Sequence, residues 1–336
     1  MIKHNNIIVL CAVFFILISL LGSCKKKYQT DGRIVYRLKW LLNSGAAGSL
    51  YANANGYFHA QGLDVSIRAG GVERNAITEI EMGRAQFGVA TGDQIIRALE
   101  KGSPICVLAQ LFQKSPMCWM YYKNRNDIQS LKDLKGKTIG ITFGNEDETI
   151  MRALLKKAGI HTDQVTFYSV RYDYTPFYTG KVDLWPVYLN SNGIVIQEKL
   201  ESANEKISFF FPHDNGVQFV GNAIICSQKL AAHHKELICK FKNAIIKGWT
   251  DALDENNLLQ VTDIIKSFDE TTDRKLIEKQ LISSRPLMIP SDNRPLGMVT
   301  MTDWKQTEQF LRDQKIISTP VLSSGKNIFF KGNCYE

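Results

Sequence analysis

Hydrophobic and polar residues along this chain recur with two periods, one near two and one near 3.6. Residues 37–42 (RLKWLL) alternate in the manner of a strand, and residues 50–59 take helical spacing that ends near Gly62. Residues 64–68 (DVSIR) predict a second strand, residues 74–82 a helix, and residues 86–90 (QFGVA) a third strand. Residues 91–100 then predict a helix opened by Thr91-Gly92-Asp93. Residues 105–112 (ICVLAQLF) are almost continuously apolar, as in a strand covered on both faces. Strands separated by helical patterns of about 10–15 residues mean βαβ units and a mostly parallel sheet.

The pattern then starts afresh. Residues 138–142 (TIGIT) read as a short strand, and residues 146–158 as an amphipathic helix stopped by Gly159. Residues 164–170 and 182–188 are strands flanking a short helix or turn at 173–178. A helix at 194–201 and a buried strand at 221–227 (GNAIICS) follow. From Lys235 the chain is helical: Leu237, Phe241, Ile245, Trp249 and Leu253 form one stripe at i, i+4 spacing, and further helices are predicted at 258–266, 273–283 and 302–314. A helical C-terminal third without a sheet of its own packs back on the first half. The expected organisation is therefore one lobe from both chain ends (33–115 and 223–336) and a second lobe inserted between them (116–222), with crossings at 113–119 and 219–223.

The N-terminus follows another rule. Residues 7–21 (IIVLCAVFFILISLL) contain one polar residue, Ser19, and are too short for a comfortable membrane span of about 20 residues. A charged start, a short apolar run and a small-residue exit predict an export signal over residues 1–23. The exit Leu21-Gly22-Ser23-Cys24 resembles a lipobox, which implies cleavage before Cys24 and acylation of its thiol. Residues 24–32 are then a lipid-anchored tether, and the protein is exported and held at a membrane.

Composition removes several functions. The 336 residues carry 41 Lys plus Arg against 33 Asp plus Glu, a formal charge of +8, whose one run is Lys25-Lys26-Lys27 beside the anchor; nothing calls for nucleic acid. Of the seven cysteines, Cys106, Cys118, Cys226, Cys239 and Cys334 form no Cys-x-x-Cys pair, so they read as small buried residues with room for one disulfide. His233-His234 lacks a ligand at metal spacing, and no Gly-x-Ser-x-Gly, His-Glu-x-x-His or P-loop occurs. No cofactor, no metal and no catalytic residue is expected, and the chain is not read as an enzyme.

Several stretches in order are familiar: residues 38–43 (LKWLLN), 57–65 (YFHAQGLDV), Gly70-Gly71, 83–88 (GRAQFG), 102–105 (GSPI), 133–140 (DLKGKTIG), Gly144-Asn145-Glu146 before a helix ending ALLKKAGI, and Gly180-Lys181-Val182-Asp183. Over roughly residues 35–270 the chain resembles the periplasmic solute-binding proteins of ABC transporters, and more narrowly the binders of the thiamine pyrimidine precursor together with the homologous thiamine-pyrimidine synthase. The resemblance implies an α/β, periplasmic-binding-protein-like fold (type II): two α/β lobes with a hinge and a central cleft. It also implies a monomer that captures a small-molecule ligand by hinge closure and hands it to an ABC permease with its ATPase subunits.

A site at such a cleft draws on strand ends and helix N-termini. The candidates on glycine-bearing loops and helix starts are Asn43, Gly71, Val72, Thr91, Gly92, Asp93, Asn145 and Glu146. Between Phe167 and Tyr188 eight positions are aromatic, against 10% over the whole chain, and flat rings stack on flat heteroaromatic ligands. Tyr172, Trp185 and Tyr188 are the cleft candidates there, with Trp40 and Tyr51 across from them. Where the precursor binders continue into Asn-Glu-Pro, this chain has Tyr188-Leu189-Asn190-Ser191-Asn192-Gly193, so Asn192 offers an amide in place of a carboxylate. The remaining carboxylates, Glu146 and Asp173, read as helix N-terminal charges. The ligand classes left open are the pyrimidine precursor, a flavin-like ring, and a nitrate, taurine or alkanesulfonate anion. The synthase would need a cysteine-rich iron motif that the chain lacks.

Overall fold

The structure is a computed structural model that describes residues 33–334 apart from 72, 126, 172, 291, 293, 324–327 and 333. The export signal, the tether with Cys24, and the site candidates Val72 and Tyr172 lie outside the described residues.

Ten strands form three sheets among the described residues. β1 (Ile34–Arg37), β2 (Val65–Arg68), β3 (Phe87–Thr91), β4 (Ile105–Gln110) and β10 (Asn222–Ser227) make a five-stranded sheet in the order β2-β1-β3-β10-β4. β5 (Met117–Tyr122) lies between β8 (Trp185–Tyr188) and β9 (Ile207–Phe210) in a second sheet, and β6 (Thr138–Ile141) pairs with β7 (Thr166–Ser169) in a third. The first sheet is mostly parallel, as expected: β1 to β4 all run in one direction and β10 alone runs against them. β1 runs parallel to β2 and β3, but β10 is antiparallel to both its neighbours, and β5 is antiparallel to both of its own. The cause is topological: β10 re-enters the first sheet after the intervening residues have built the other two.

Burial explains the layering. In the first sheet Tyr36, Phe87, Leu108 and Cys226 face one way, onto Leu50 of helix Ala47–Ala54 and Phe241 and Trp249 of helix Lys235–Ala252. Ala90, Val107 and Ile225 face the other way, onto Ile95 and Leu99 of helix Gly92–Glu100 and Trp304 and Leu311 of helix Met301–Asp313. Both faces are thus covered, which accounts for the unbroken apolar run of β4. Phe241 anchors the first face, stacked on Phe87 at 3.7 Å and edge-on to Tyr36 at 5.1 Å between centroids. β5 divides its residues likewise: Trp119 and Tyr121 join Ile139 and Ile141, with Leu154 of helix Glu146–Ala158, on one side, whereas Met120 and Tyr122 join Phe177, Trp185 and Ile196 on the other.

Several boundaries move. The strand expected at 37–42 is β1 at Ile34–Arg37, because the inward phase is Ile34, Tyr36, Leu38, and the Arg37 guanidinium turns to Glu79 at 2.9 Å. The helix expected at 50–59 is two helices, Ala47–Ala54 and Tyr57–Ala60, broken at Gly56, whose φ is +69°. β5 begins inside the expected crossing at 113–119, and neither β5 nor β9 was anticipated. The C-terminal third is not purely helical: Val107 N–H donates to Ile328 O at 2.7 Å and Phe330 N–H to Val107 O at 2.9 Å, which lays the last residues along β4. Cys239 and Cys334 form a disulfide with Cα atoms 4.9 Å apart, while Cys106, Cys118 and Cys226 are buried free thiols. No described helix is long and apolar enough to cross a membrane.

Candidate functional site

Four side chains from distant points of the sequence, Lys39, Ser115, Glu146 and Tyr188, are linked in one hydrogen-bonded chain. The first is Lys39, just beyond β1. Its backbone is held by Gly70: Leu38 N–H donates to Arg68 O (2.9 Å) and Gly70 N–H to Trp40 O (2.8 Å). A Cβ on Gly70 would lie 2.0 Å from Leu38 O and 2.6 Å from the Lys39 carbonyl carbon, so only glycine permits this approach. Lys39 Nζ then donates to the Tyr188 hydroxyl at 3.0 Å and sits 4.8 Å from the centre of that ring.

Tyr188 ends β8. Its hydroxyl donates to Glu146 Oε2 at 2.5 Å, and Ser115 Oγ donates to Glu146 Oε1 at 3.0 Å. Ser115 lies in the chain that crosses from β4 to β5, and its Oγ also accepts from Met117 N–H at 3.2 Å. The backbone N–H of Tyr188 donates to Asn192 Oδ1 (2.9 Å), and Asn192 Nδ2 donates to the Tyr174 hydroxyl (3.0 Å). Asn192 belongs to the segment Leu189–Gly193, whose backbone is kinked at Asn190 and Ser191. That segment is tied to helix Arg274–Met288 of the first-sheet layer by Asn190 Nδ2 to Ser284 Oγ (3.1 Å) and Gln280 Nε2 to Ser191 O (3.1 Å).

Two helices bring their first turns to this place. Thr91 ends β3 and precedes helix Gly92–Glu100; its hydroxyl donates to Asp93 Oδ1 at 2.6 Å, and Arg97 stands 3.4 Å from Asp93 Oδ2. Gly92 rests on the segment before β10 at Val220: its N–H donates to Val220 O (3.1 Å), and a Cβ would come within 2.5 Å of Val220 Cβ. The second helix, Glu146–Ala158, opens with three acids. Asp147 accepts from Thr142 N–H at 2.6 Å and Glu148 from Gly144 N–H at 2.7 Å, whereas Glu146 turns inward to Ser115 and Tyr188. Arg97 reaches over to this helix start, donating to Gly144 O at 3.1 Å and Thr149 Oγ1 at 3.3 Å.

The electrostatics are set by burial. Glu146 and Asp93 are 6% and 3% exposed. Burial raises the Glu146 carboxyl above its ordinary range; Lys39 opposes this and the charge of Asp93 reinforces it. Burial and the neighbouring carboxylates push the Tyr188 phenol well up, so it stays a donor to Glu146 at any physiological pH. Asp147 is raised to about 6, again by burial, against the pull of its bonds from Thr142.

Thus the candidates Thr91, Gly92, Asp93, Glu146, Tyr188 and Asn192 are gathered around one cluster, although Asn192 spends its amide on Tyr188 and Tyr174. Trp40 is beside the cluster in sequence and 44% exposed. Asn145 is the exposed residue that precedes the Glu146–Ala158 helix, and Gly71, with φ of +144°, adjoins Gly70. Asn43 caps the turn Ser44–Ala46, accepting from Gly45 N–H at 3.0 Å. Two aromatic candidates stand elsewhere. Tyr51 is buried, its hydroxyl donating to Gln260 Oε1 at 2.8 Å and its ring edge-on to Tyr57. Trp185 is 2% exposed, 5.6 Å from Tyr174 and 6.1 Å from Phe177 between centroids, inside the core of the second sheet. Asp173 accepts from Thr175 N–H at 2.9 Å at the start of helix Thr175–Tyr178. Lys39, Ser115 and Arg97 were not anticipated, although Lys39 adjoins Trp40 and Ser115 lies in the predicted crossing. No group of three or more His, Cys, Asp or Glu side chains suited to a metal occurs among the described residues.

Comparison with known proteins bears on the fold and the family. The riboflavin-binding protein RibY of Chloroflexus aurantiacus is 26% identical over 323 residues, covering 90% of this chain and 87% of its own. The formylaminopyrimidine-binding protein of Halalkalibacterium halodurans is 23% identical over 312 residues, with 90% and 93% covered. Among solved structures, the periplasmic aliphatic sulphonate binding protein SsuA of Escherichia coli superposes with a TM-score of 0.66 at 14% identity, covering 86% of this chain and 88% of that one, so the fold is periplasmic-binding-protein-like. The family model described as NMT1/THI5 like matches residues 43–257, well over half of the chain, and the protein belongs to that family.

Proposed function

We propose that the protein is the extracytoplasmic solute-binding component of an ABC-type importer. In this reading residues 33–115 with 223–336 form one lobe and residues 116–222 the other, and they close on a small planar heterocycle related to a riboflavin ring or an aminopyrimidine. The sheet membership of β1–β4 with β10, against β5–β9, supports that division. The relatives named for riboflavin and formylaminopyrimidine support the class of solute.

One observation carries the choice of a heterocycle over an anion: the first turns of both helices that reach the cluster already hold a buried carboxylate of the chain itself, Asp93 and Glu146. A helix N-terminus attracts an anion through its free N–H groups and its dipole. Here each helix start already carries a buried carboxyl of the chain itself, so a sulfonate or nitrate would meet acceptor oxygens there. A solute that donates N–H groups is favoured instead. Trp40, Thr91, Asp93, Glu146 and Tyr188 are the side chains read as facing it, while Tyr51 and Trp185 serve the cores.

The remaining parts of the reading concern address and partners. A lipid on Cys24 holds the monomer at the membrane beside its permease and ATPase, and no reaction is catalysed. Expression with an export pathway and a labelled fatty acid should label wild type and leave Cys24→Ala unlabelled. The solute is tested by thermal unfolding with riboflavin, formylaminopyrimidine, thiamine, taurine and nitrate. A ligand at 100 times its Kd stabilises by about 2.7 kcal/mol. A shift with the heterocycles alone supports the reading; a shift with taurine or nitrate alone overturns it.

A further inference from the structure

Lys39 is the cation that the first sheet sends into the cluster. Its ammonium carries three donors, and the bond to Tyr188 uses one. Tyr188 is fully committed, accepting from Lys39 while donating to Glu146. The two Glu146 oxygens each accept one hydroxyl and keep a further lone pair. What the cluster still offers is therefore a pair of unlike groups side by side: donors on Lys39 and acceptor sites on Glu146. Both are fixed in place. Gly70 clamps the backbone around Lys39, and Ser115 and Tyr188 hold Glu146 from the crossing segment and from β8.

We propose that Lys39 is the specificity-determining donor of the cleft, meeting a ring carbonyl or ring nitrogen of the solute while Glu146 accepts the adjacent N–H. This rests on the importer reading above and narrows its solute to a planar heterocycle whose edge sets an acceptor beside a donor, as in an amide-like or amidine-like ring edge. A sulfonate has acceptors alone and leaves Glu146 facing negative oxygen. An apolar ring leaves both groups stripped of water and unpaired, which is the costliest way to bury them. Lys39 is half-buried and is followed directly by the exposed Trp40 and Leu41.

The test compares the full-length chain with Lys39→Met and Lys39→Arg by calorimetric titration of riboflavin, formylaminopyrimidine and taurine, with thermal unfolding as the control for folding. Lys39→Met is expected to melt close to wild type and to bind the preferred heterocycle roughly 10- to 100-fold more weakly, the loss of a charge-assisted hydrogen bond. Lys39→Arg should recover part of that loss. Equal binding by wild type and Lys39→Met, within twofold, overturns the role of Lys39 and leaves the importer reading standing. Binding of taurine alone, lost in Lys39→Met, overturns the heterocycle and keeps Lys39 as the donor. Binding of none of the three by wild type overturns both.

Discussion

Asp93 and Glu146 occupy matching places in two different parts of the molecule: each sits in the first turn of a helix that follows a strand, and each is buried. Their surroundings differ, first of all at the position one helical turn further on. Four residues on from Asp93 stands Arg97, 3.4 Å from its carboxylate; four residues on from Glu146 stands Ile150, wholly inside the second core. Asp93 is thus a paired charge of its own helix, and Glu146 is a desolvated carboxyl whose nearest cation, Lys39, comes from the other sheet. The same local device gives a structural ion pair in one place and, in the other, a desolvated carboxyl held by two hydroxyls from distant segments.

The largest expected effect breaks the first member of this pair. Arg97→Met leaves Asp93 buried with only the Thr91 hydroxyl, and also loses the bonds to Gly144 O and Thr149, so it should cost about 3 kcal/mol in urea unfolding. A cost under about 1 kcal/mol would mean that Asp93 is no better paired than Glu146. A comparable loss, about 2–4 kcal/mol, is expected for Cys334→Ser, which opens the link between residues 95 apart. Solute affinity should be unchanged in that variant, because the disulfide ties the chain end to helix Lys235–Ala252 and touches neither carboxylate.

The third effect is one of pH. Asp147 has its folded pKa raised from 3.8 to about 6, so between these values the folded state holds a proton that the unfolded state has released. Stability therefore rises as pH falls from above 6 towards 4, and the gain is absent at alkaline pH. Asp147→Asn should flatten that slope, whose full height is at most about 3 kcal/mol. The smallest effect sharpens the comparison most. Because Glu146 is held above its ordinary range, Glu146→Gln should be neutral or stabilising by about 1 kcal/mol at pH 8, with the difference from wild type closing at acid pH. Asp93→Asn should move the other way, since it strips Arg97 of its partner.

How far these features were legible in the sequence depends on range. Helices Glu146–Ala158 and Ile194–Glu201 emerge at their predicted limits because period and stop signals are local. β5 (MCWMYY) is buried on both faces, has no alternation, and lies where a crossing was expected. Strand direction has no local signature, so the antiparallel return of β10 was invisible. In the site, Thr91, Asp93 and Glu146 could be named because a strand end followed by a helix start is a sequence pattern. Lys39 could not, because its partner is 149 residues away. The aromatic run from Phe167 to Tyr188 shows the opposite failure: its density is real, yet Phe177 and Trp185 spend it on a core completed by Tyr122 of β5.

The position of β10 has a consequence for how the chain comes into being. It is inserted between β3 and β4, two strands made more than a hundred residues earlier, and it supplies the ladder on both sides. A chain emerging from its N-terminus cannot close that sheet until residues 222–227 have appeared. Until then β1 to β4 have an unfilled slot, whereas the sheets of β5 to β9 draw on no strand outside the middle of the chain. The half that is begun first is finished last, and for that interval β3 and β4 present open edges to any other strand within reach.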